Sequence, residues 1–206
     1  MKSSSITIRS IAIAFWFLMS SIMTMTAYPQ DKYESSGKVF IILEGTSNIH
    51  DWHMNSDKGV FNLVVDENNS KISALKFALP VESLKSEHAG LDKNTYKALR
   101  TKKFATINFV ASDVTAKQVS DRSFIIKSNG KLTISGVTKN ILLTATASIG
   151  SDNTITYSGS YSLNMTDYEV EPPTIMLGAI KTGNAVTIKY NMLVKGKNYL
   201  TQLTKN

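Results

Sequence analysis

Cysteine is absent from the 206-residue chain. That excludes disulfide staples, a lipoprotein anchor, thiolate metal sites and cysteine nucleophiles, so the core alone must hold the fold. Histidine is scarce, with three residues, which leaves little material for a histidine-rich metal site. Proline is nearly as rare, and two of the four prolines are adjacent at Pro172 and Pro173. Acidic residues are outnumbered by basic ones, giving a net charge of +7. The excess is spread along the chain and is densest in KALRTKK, Lys97 to Lys103. Solvated surface lysines with mild attraction to anionic surfaces account for it. Nucleic-acid binding is not expected, because the aromatics do not interleave with basic residues.

Long apolar runs are missing except at the N-terminus. Lys2 and Arg9 precede IAIAFWFLM, Ile11 to Met19, and small residues follow up to Ala27. Residues 1–27 read as an export signal cut near Ala27, with Ser21 as the alternative cut. An uncleaved anchor reaching Tyr28 is the rival reading, but Ser20, Ser21, Thr24 and Thr26 dilute its second half. Residues 28–206 are then one exported domain, periplasmic or secreted.

What is abundant is period-two alternation. Val186, Ile188, Tyr190, Met192 and Val194 share one face of a strand, with Thr187, Lys189 and Asn191 opposite. Ile155, Tyr157, Gly159, Tyr161 and Leu163 form a second such stripe, and Ile141, Leu143, Ala145, Ala147 and Ile149 a third. Less regular strands are expected over 39–49, 60–65, 72–79, 106–114 and 123–134. Turn chemistry falls at 66–71, 128–131, 135–140 and 150–153, with Gly130 alternatively a bulge inside one strand. GLDKNTYKALRTKKF breaks the pattern and predicts a short helix over about 93–101, with Asp92 as N-cap and Tyr96 stapled onto Leu91. The expected architecture is all-β, eight antiparallel strands with one helix insertion, closed as a barrel or stacked as a sandwich.

SNIHDWHM, Ser47 to Met54, concentrates two histidines, an aspartate and a tryptophan. Odd positions of the first strand face inward, so extrapolation points His50 out and His53 in. Opposed histidines do not chelate one ion, and a third ligand is not evident. No G-x-S-x-G elbow surrounds Ser47 or any other serine, so a hydrolytic triad has no support. The stretch reads as a turn, with Asp51 accepting turn hydrogen bonds and Trp52 covering an end of the core. No catalytic or metal-binding residue is expected.

The order of several blocks resembles the YceI-like family. These are GTSNIHDWHM, GVFNLVVDENNSKISALKFALPVESLKS, LDKNTYKALRTKKFATINFVAS, GKLTISGVTKNILLTATA and MTDYEVEPPTIMLGAIKTGNAVTIKYNM. Ala105 departs from the family, which often has proline before that strand. The resemblance implies an exported, lipocalin-like barrel of eight strands. It also implies an interior tunnel for a long apolar chain, a polyisoprenoid or isoprenoid quinone, and no other cofactor.

A tunnel of that kind would be lined by Phe61, Leu63, Leu75, Phe77, Ile107 and Phe109 from the early strands. Phe124, Ile126, Leu132, Ile134, Leu143 and Ala145 would continue it, and Tyr157, Tyr161, Ile188, Tyr190 and Met192 would complete it. Inward tyrosines imply partners for their hydroxyls inside. Asp51, Trp52, His53, Met176 and Leu177 are placed at a barrel end or mouth. The Pro172–Pro173 segment cannot be a central strand. Its Ile175, Met176, Leu177 and Ile180 are expected to plug the end of the barrel rather than flank an open mouth. The expected function is non-catalytic carriage or sequestration of an apolar chain lipid, by a monomer or homodimer in transient contact with a membrane surface. The alternative is a structural or interaction module with a filled barrel.

Overall fold

The computed structural model describes residues 31–34, 39–66, 71–152 and 154–195. The leader expected at 1–27, the centre of the 66–71 turn and Asn153 lie outside them. Eleven strands occur among the described residues: β1 Asp31–Glu34, β2 Val39–Ser47, β3 Trp52–Ser56, β4 Val60–Asp66, β5 Lys71–Pro80, β6 Thr106–Ser120, β7 Ser123–Ile134, β8 Val137–Ile149, β9 Ile155–Asn164, β10 Thr174–Ile175 and β11 Ile180–Val194. The expected count of eight is thus too low. The three additions, β1, β3 and β10, have four, five and two residues, too few for alternation to announce them.

All ladders are antiparallel, in the order β1-β4-β5-β6-β7-β8-β9-β11-β2-β3, with β10 paired to β11. β1 sits at one end of this path and β2, the next strand in the chain, lies near the other. A parallel bridge joins Val39 at the start of β2 to Lys58, just before β4. The sheet therefore curls until its two ends face each other, as a barrel rather than a sandwich.

The long strands follow their alternation. On β7, Phe124, Ile126, Ser128, Gly130, Leu132 and Ile134 are all buried, while Lys127, Asn129 and Lys131 are exposed. No turn forms at 128–131. β7 runs straight through, and a bulge in β6 between Ala111 and Asp113 absorbs the irregularity opposite Gly130. The turn expected over 135–140 shrinks to Ser135 and Gly136, both with positive φ, and β8 begins at Val137.

The helix α1, Ala89–Ala98, starts four residues before the expected position. Asp92 is not its cap. It is buried in the first turn, where its carboxylate accepts hydrogen bonds from Ser86 N at 2.8 Å and Ser86 Oγ at 2.7 Å. The helix is fixed to the barrel rim by side chains. Tyr96 Oη donates to Leu84 O at 2.6 Å. Arg100, just past the helix, donates from Nε to Ser135 Oγ and from Nη2 to Ser135 O, at 2.9 and 2.6 Å.

One end of the barrel is solidly packed. Phe61, Leu63, Phe124, Ile126, Ala147, Ile149, Ile155, Tyr157 and Val194 form a continuous cluster there, each large member worth roughly 1.5–3 kcal/mol of burial. Towards the other end the wall divides. The β8–β9 ladder runs only from Ala145 opposite Gly159 to Ile149 opposite Ile155. Beyond it, residues 137–144 and 160–164 are unpaired with each other, and a 3-10 turn, Met165–Tyr168, packs against β8, β9 and β11. Tyr190 of β11 reaches the division point, where its hydroxyl donates to Thr144 O at 2.9 Å.

Gly159 is Tyr190's cross-strand partner, and a Cβ there would collide with the tyrosine hydroxyl and lie 2.6 Å from Thr144 O. Gly159→Ala should therefore destabilise the protein by roughly 2–4 kcal/mol in urea unfolding, through steric conflict and a lost buried hydrogen bond. Ser158→Ala next door, on the exposed face, should change stability by less than about 0.5 kcal/mol. Burial pushes the Tyr190 hydroxyl up to about 12 from its usual value near 10. Above pH 10 the unfolded chain releases this proton first, so stability should fall as pH rises from 10 towards 12. Alkaline unfolding curves should show this fall in the parent protein and a shallower one in Tyr190→Phe.

Candidate functional site

Above the packed end the barrel encloses a hollow of about 180 Å³. Its wall is apolar apart from scattered hydroxyls of Thr95, Ser128, Thr182 and the tyrosines. Of the positions expected to line a tunnel, Phe61, Leu75, Phe77, Ile107, Phe109, Ile126, Leu132, Ile134, Leu143, Ala145, Tyr157, Tyr161, Ile188, Tyr190 and Met192 face it. Leu63 and Phe124 do not. They are 1% and 0% exposed inside the packed end, because a narrow barrel fills where large side chains pack together.

Four of the lining rings rest on glycines. Trp52 lies against Gly45 and Tyr190 against Gly159, each pair directly opposite across a ladder. Phe109 covers Gly130 and Phe77 covers Gly59, each with a ring atom 2.7 Å from where a Cβ would stand. Without that Cβ each ring sinks into the wall instead of projecting across the barrel. The small side chains of Ser128 and Ala145 add room on β7 and β8.

The hollow also draws on residues that the strand pattern missed. Leu91, Thr95, Ala98 and Leu99 come from α1 and its end; Met165, Tyr168, Val170 and Pro173 come from the segment after β9. Ile41 and Leu43 of β2, Leu79, Leu84, Leu163, Thr182 and Val186 complete the wall. The inward parity of β2 and β11 carried a signal for some of these. The helix and the irregular segment carried none, since only the tertiary fold brings them over the barrel. Tyr168 is 2% exposed, and its hydroxyl has no hydrogen-bond partner among the described residues. Burial, then the neighbouring Tyr161 and Asp167, push its pKa up to about 12.

The stretch around Ser47–Met54 behaves differently from its extrapolated parity. The chain turns at Asn48–Asp51, and Ser47 Oγ closes the turn by donating to His50 O at 2.7 Å and accepting from His50 N at 3.2 Å. β3 restarts with the opposite facing, so Met54 is buried and His53 is exposed opposite Glu44. Trp52 lines the hollow, and its Nε1 donates to Thr46 O at 3.0 Å. Asp51 and His50 are exposed. Among the described residues no three His, Asp or Glu side chains converge as metal ligands.

The segment after Pro173 is not a plug; Tyr168 and Val170 occupy that place. The β10–β11 hairpin instead carries Met176 and Leu177 outward, 73% and 111% exposed. Both residues have left-handed backbone, φ 54° and 55°, followed by Gly178 at 91°. That conformation costs about 1–2 kcal/mol at each non-glycine position.

Solved structures similar to this one share the fold. BcnA of Burkholderia cenocepacia is 15% identical with a TM-score of 0.60, covering 77% of this chain and 96% of that one. A polyisoprenoid-binding domain of Saccharophagus degradans, implicated in plant cell wall breakdown, is 8% identical with a TM-score of 0.61, covering 82% and 100%. The Campylobacter jejuni YCEI protein is 17% identical with a TM-score of 0.53, covering 70% and 85%. No curated protein matches the chain. The model of the YceI-like domain matches residues 31–194, from the first described strand to the end of the last, and the chain belongs to the YceI-like family.

Proposed function

We propose that this protein binds an apolar chain lipid in the barrel hollow and does no chemistry on it. The observation that carries the reading is the hollow itself, a space of about 180 Å³ walled by aliphatic and aromatic side chains beside a packed end. It is somewhat larger than the roughly 150 Å³ apolar cavity that takes up benzene in an engineered core. About ten carbons of a polyisoprenoid or isoprenoid quinone would gain roughly 8 kcal/mol on entering, before ordering costs. A longer chain would extend past the rim. Membership of the YceI-like family and the polyisoprenoid-binding name of the Saccharophagus degradans domain support the same class of guest. The export signal read at residues 1–27 would put this carrier or sequestering protein in the periplasm or outside the cell. The alternative, a filled, ligand-free barrel, draws on the packed end, and the space above that end favours the lipid reading.

The protein beginning at Tyr28, the mature form that the export-signal reading implies, is the form to test. Purified without detergent, it should retain a hydrophobic mass in native mass spectrometry that organic extraction removes and identifies. An empty protein that takes up neither added prenol nor added quinone overturns the reading. Ala145→Phe, which grows a ring into the hollow, should abolish retention while leaving the far-ultraviolet spectrum unchanged. Phe124→Ala lies below the hollow and should instead cost about 3–5 kcal/mol of stability.

A further inference from the structure

We infer that the tip of the β10–β11 hairpin is a membrane-docking finger that seats the mouth of the barrel on an anionic bilayer. Its backbone is the first observation. Met176, Leu177 and Gly178 all have positive φ, at 54°, 55° and 91°. Glycine and asparagine suit such a turn, whereas methionine and leucine oppose it. Strained backbone that holds two large apolar side chains in water has no packing reward within the chain, and such strain concentrates at functional sites.

The finger belongs to an assembled surface. Asn48 Nδ2 donates to Ala179 O at 2.9 Å, and Lys181 N donates to Asn48 Oδ1 at 2.8 Å. These bonds clamp the turn after β2 to the hairpin and bring Ile49, 58% exposed, to the same end as Ile175, Met176 and Leu177. The root of the same hairpin is the rim of the hollow, where Thr182 N donates to Pro173 O and both residues line the space.

Charge at this end is mixed, with basic residues gathered on the side of α1 and β6 where they can meet an anionic surface. Antiparallel register places the β7–β8 turn and the junction of α1 with β6 at the same end as the hairpin. Lys97, Arg100, Lys102 and Lys103 cluster there, and Arg100 is tied to Ser135 in that turn. Asp167, Glu169 and Glu171 on the segment leading to the hairpin, Asp51 in the turn after β2 and Glu82 beside Thr101 offset part of this charge, while Lys181 at the root of the hairpin adds to it. A few apolar side chains on a turn are too small for a stable protein interface, which needs about 800 Å² on each partner. They suit shallow insertion among headgroups, with basic residues nearby. The inference rests on the lipid-carrier reading, because a guest drawn from a bilayer must cross from bilayer to mouth.

The test is flotation of the protein beginning at Tyr28 with phosphatidylcholine–phosphatidylglycerol vesicles and with pure phosphatidylcholine vesicles. Binding to the mixed vesicles should be stronger and should weaken with salt. Met176→Asn with Leu177→Asn should cut vesicle binding at least tenfold without lowering the melting temperature, since asparagine accepts this backbone. Leu177→Trp should shift its fluorescence to the blue on the mixed vesicles. Lys102→Ala with Lys103→Ala should remove most of the salt dependence. Vesicle binding that survives the asparagine pair, or no vesicle binding at all, overturns the finger. A protein that retains lipid yet ignores vesicles overturns this inference alone. One that docks through the tip but is always empty overturns the carrier reading and leaves the finger standing.

Discussion

The interior of this barrel exists because four aromatic rings are allowed to lie back into its wall. Trp52, Phe77, Phe109 and Tyr190 each rest on a glycine, and a barrel of this girth is otherwise just wide enough for its own side chains to fill. A single Cβ beneath any of them would drive a ring towards the centre. The volume available to a guest is thus set by missing atoms as much as by those present, and the same rings supply its apolar lining. Close packing elsewhere makes the arrangement stable.

The barrel has two unlike ends, and this asymmetry comes from where large residues coincide. Phe61, Phe124, Ile126, Ile149, Ile155 and Tyr157 form one contiguous cluster that closes this end, and Phe61, Ile126 and Tyr157 are the part of it that faces the hollow. At the other end every long insertion gathers: α1, the segment 165–173 and the β10–β11 hairpin. The hollow is therefore a pocket with a floor and a furnished rim, not a pipe. On the proposed function, an apolar chain would enter by its tail and leave any polar head at the rim, where the exposed lysines and the hairpin tip stand.

Much of this was legible in the residues. Alternation from Ile155 to Leu163 and from Val186 to Val194 identified the strands and their inner faces, and most of the lining with them. Legibility ended where the pattern was reset or was never local. The turn at Asn48–Asp51 changes the parity of β3, so His53 faces water and Met54 the core. Asp92 resembles a helix cap, yet its carboxylate serves Ser86. Depth along a strand is invisible to period two, so Leu63 and Phe124 looked like lining when they are floor. The ring-on-glycine pairs join different strands and have no signature within either. Ile175, Met176 and Leu177 looked like a plug because apolar residues usually seek cover; the left-handed backbone that turns Met176 and Leu177 outward is not written in their side chains.

The parting of β8 from β9 bears on how the protein would take a guest larger than its resting volume. Where a ladder is complete, widening a barrel means breaking a row of backbone hydrogen bonds together. Between residues 137–144 and 160–164 there is no such row; the Tyr190 hydroxyl on Thr144 and the packing of Tyr168 and Val170 stand in its place. On the lipid-binding proposal, swelling would begin along this seam by trading side-chain contacts for contacts with the guest, one at a time, while the remaining ladders keep their registers.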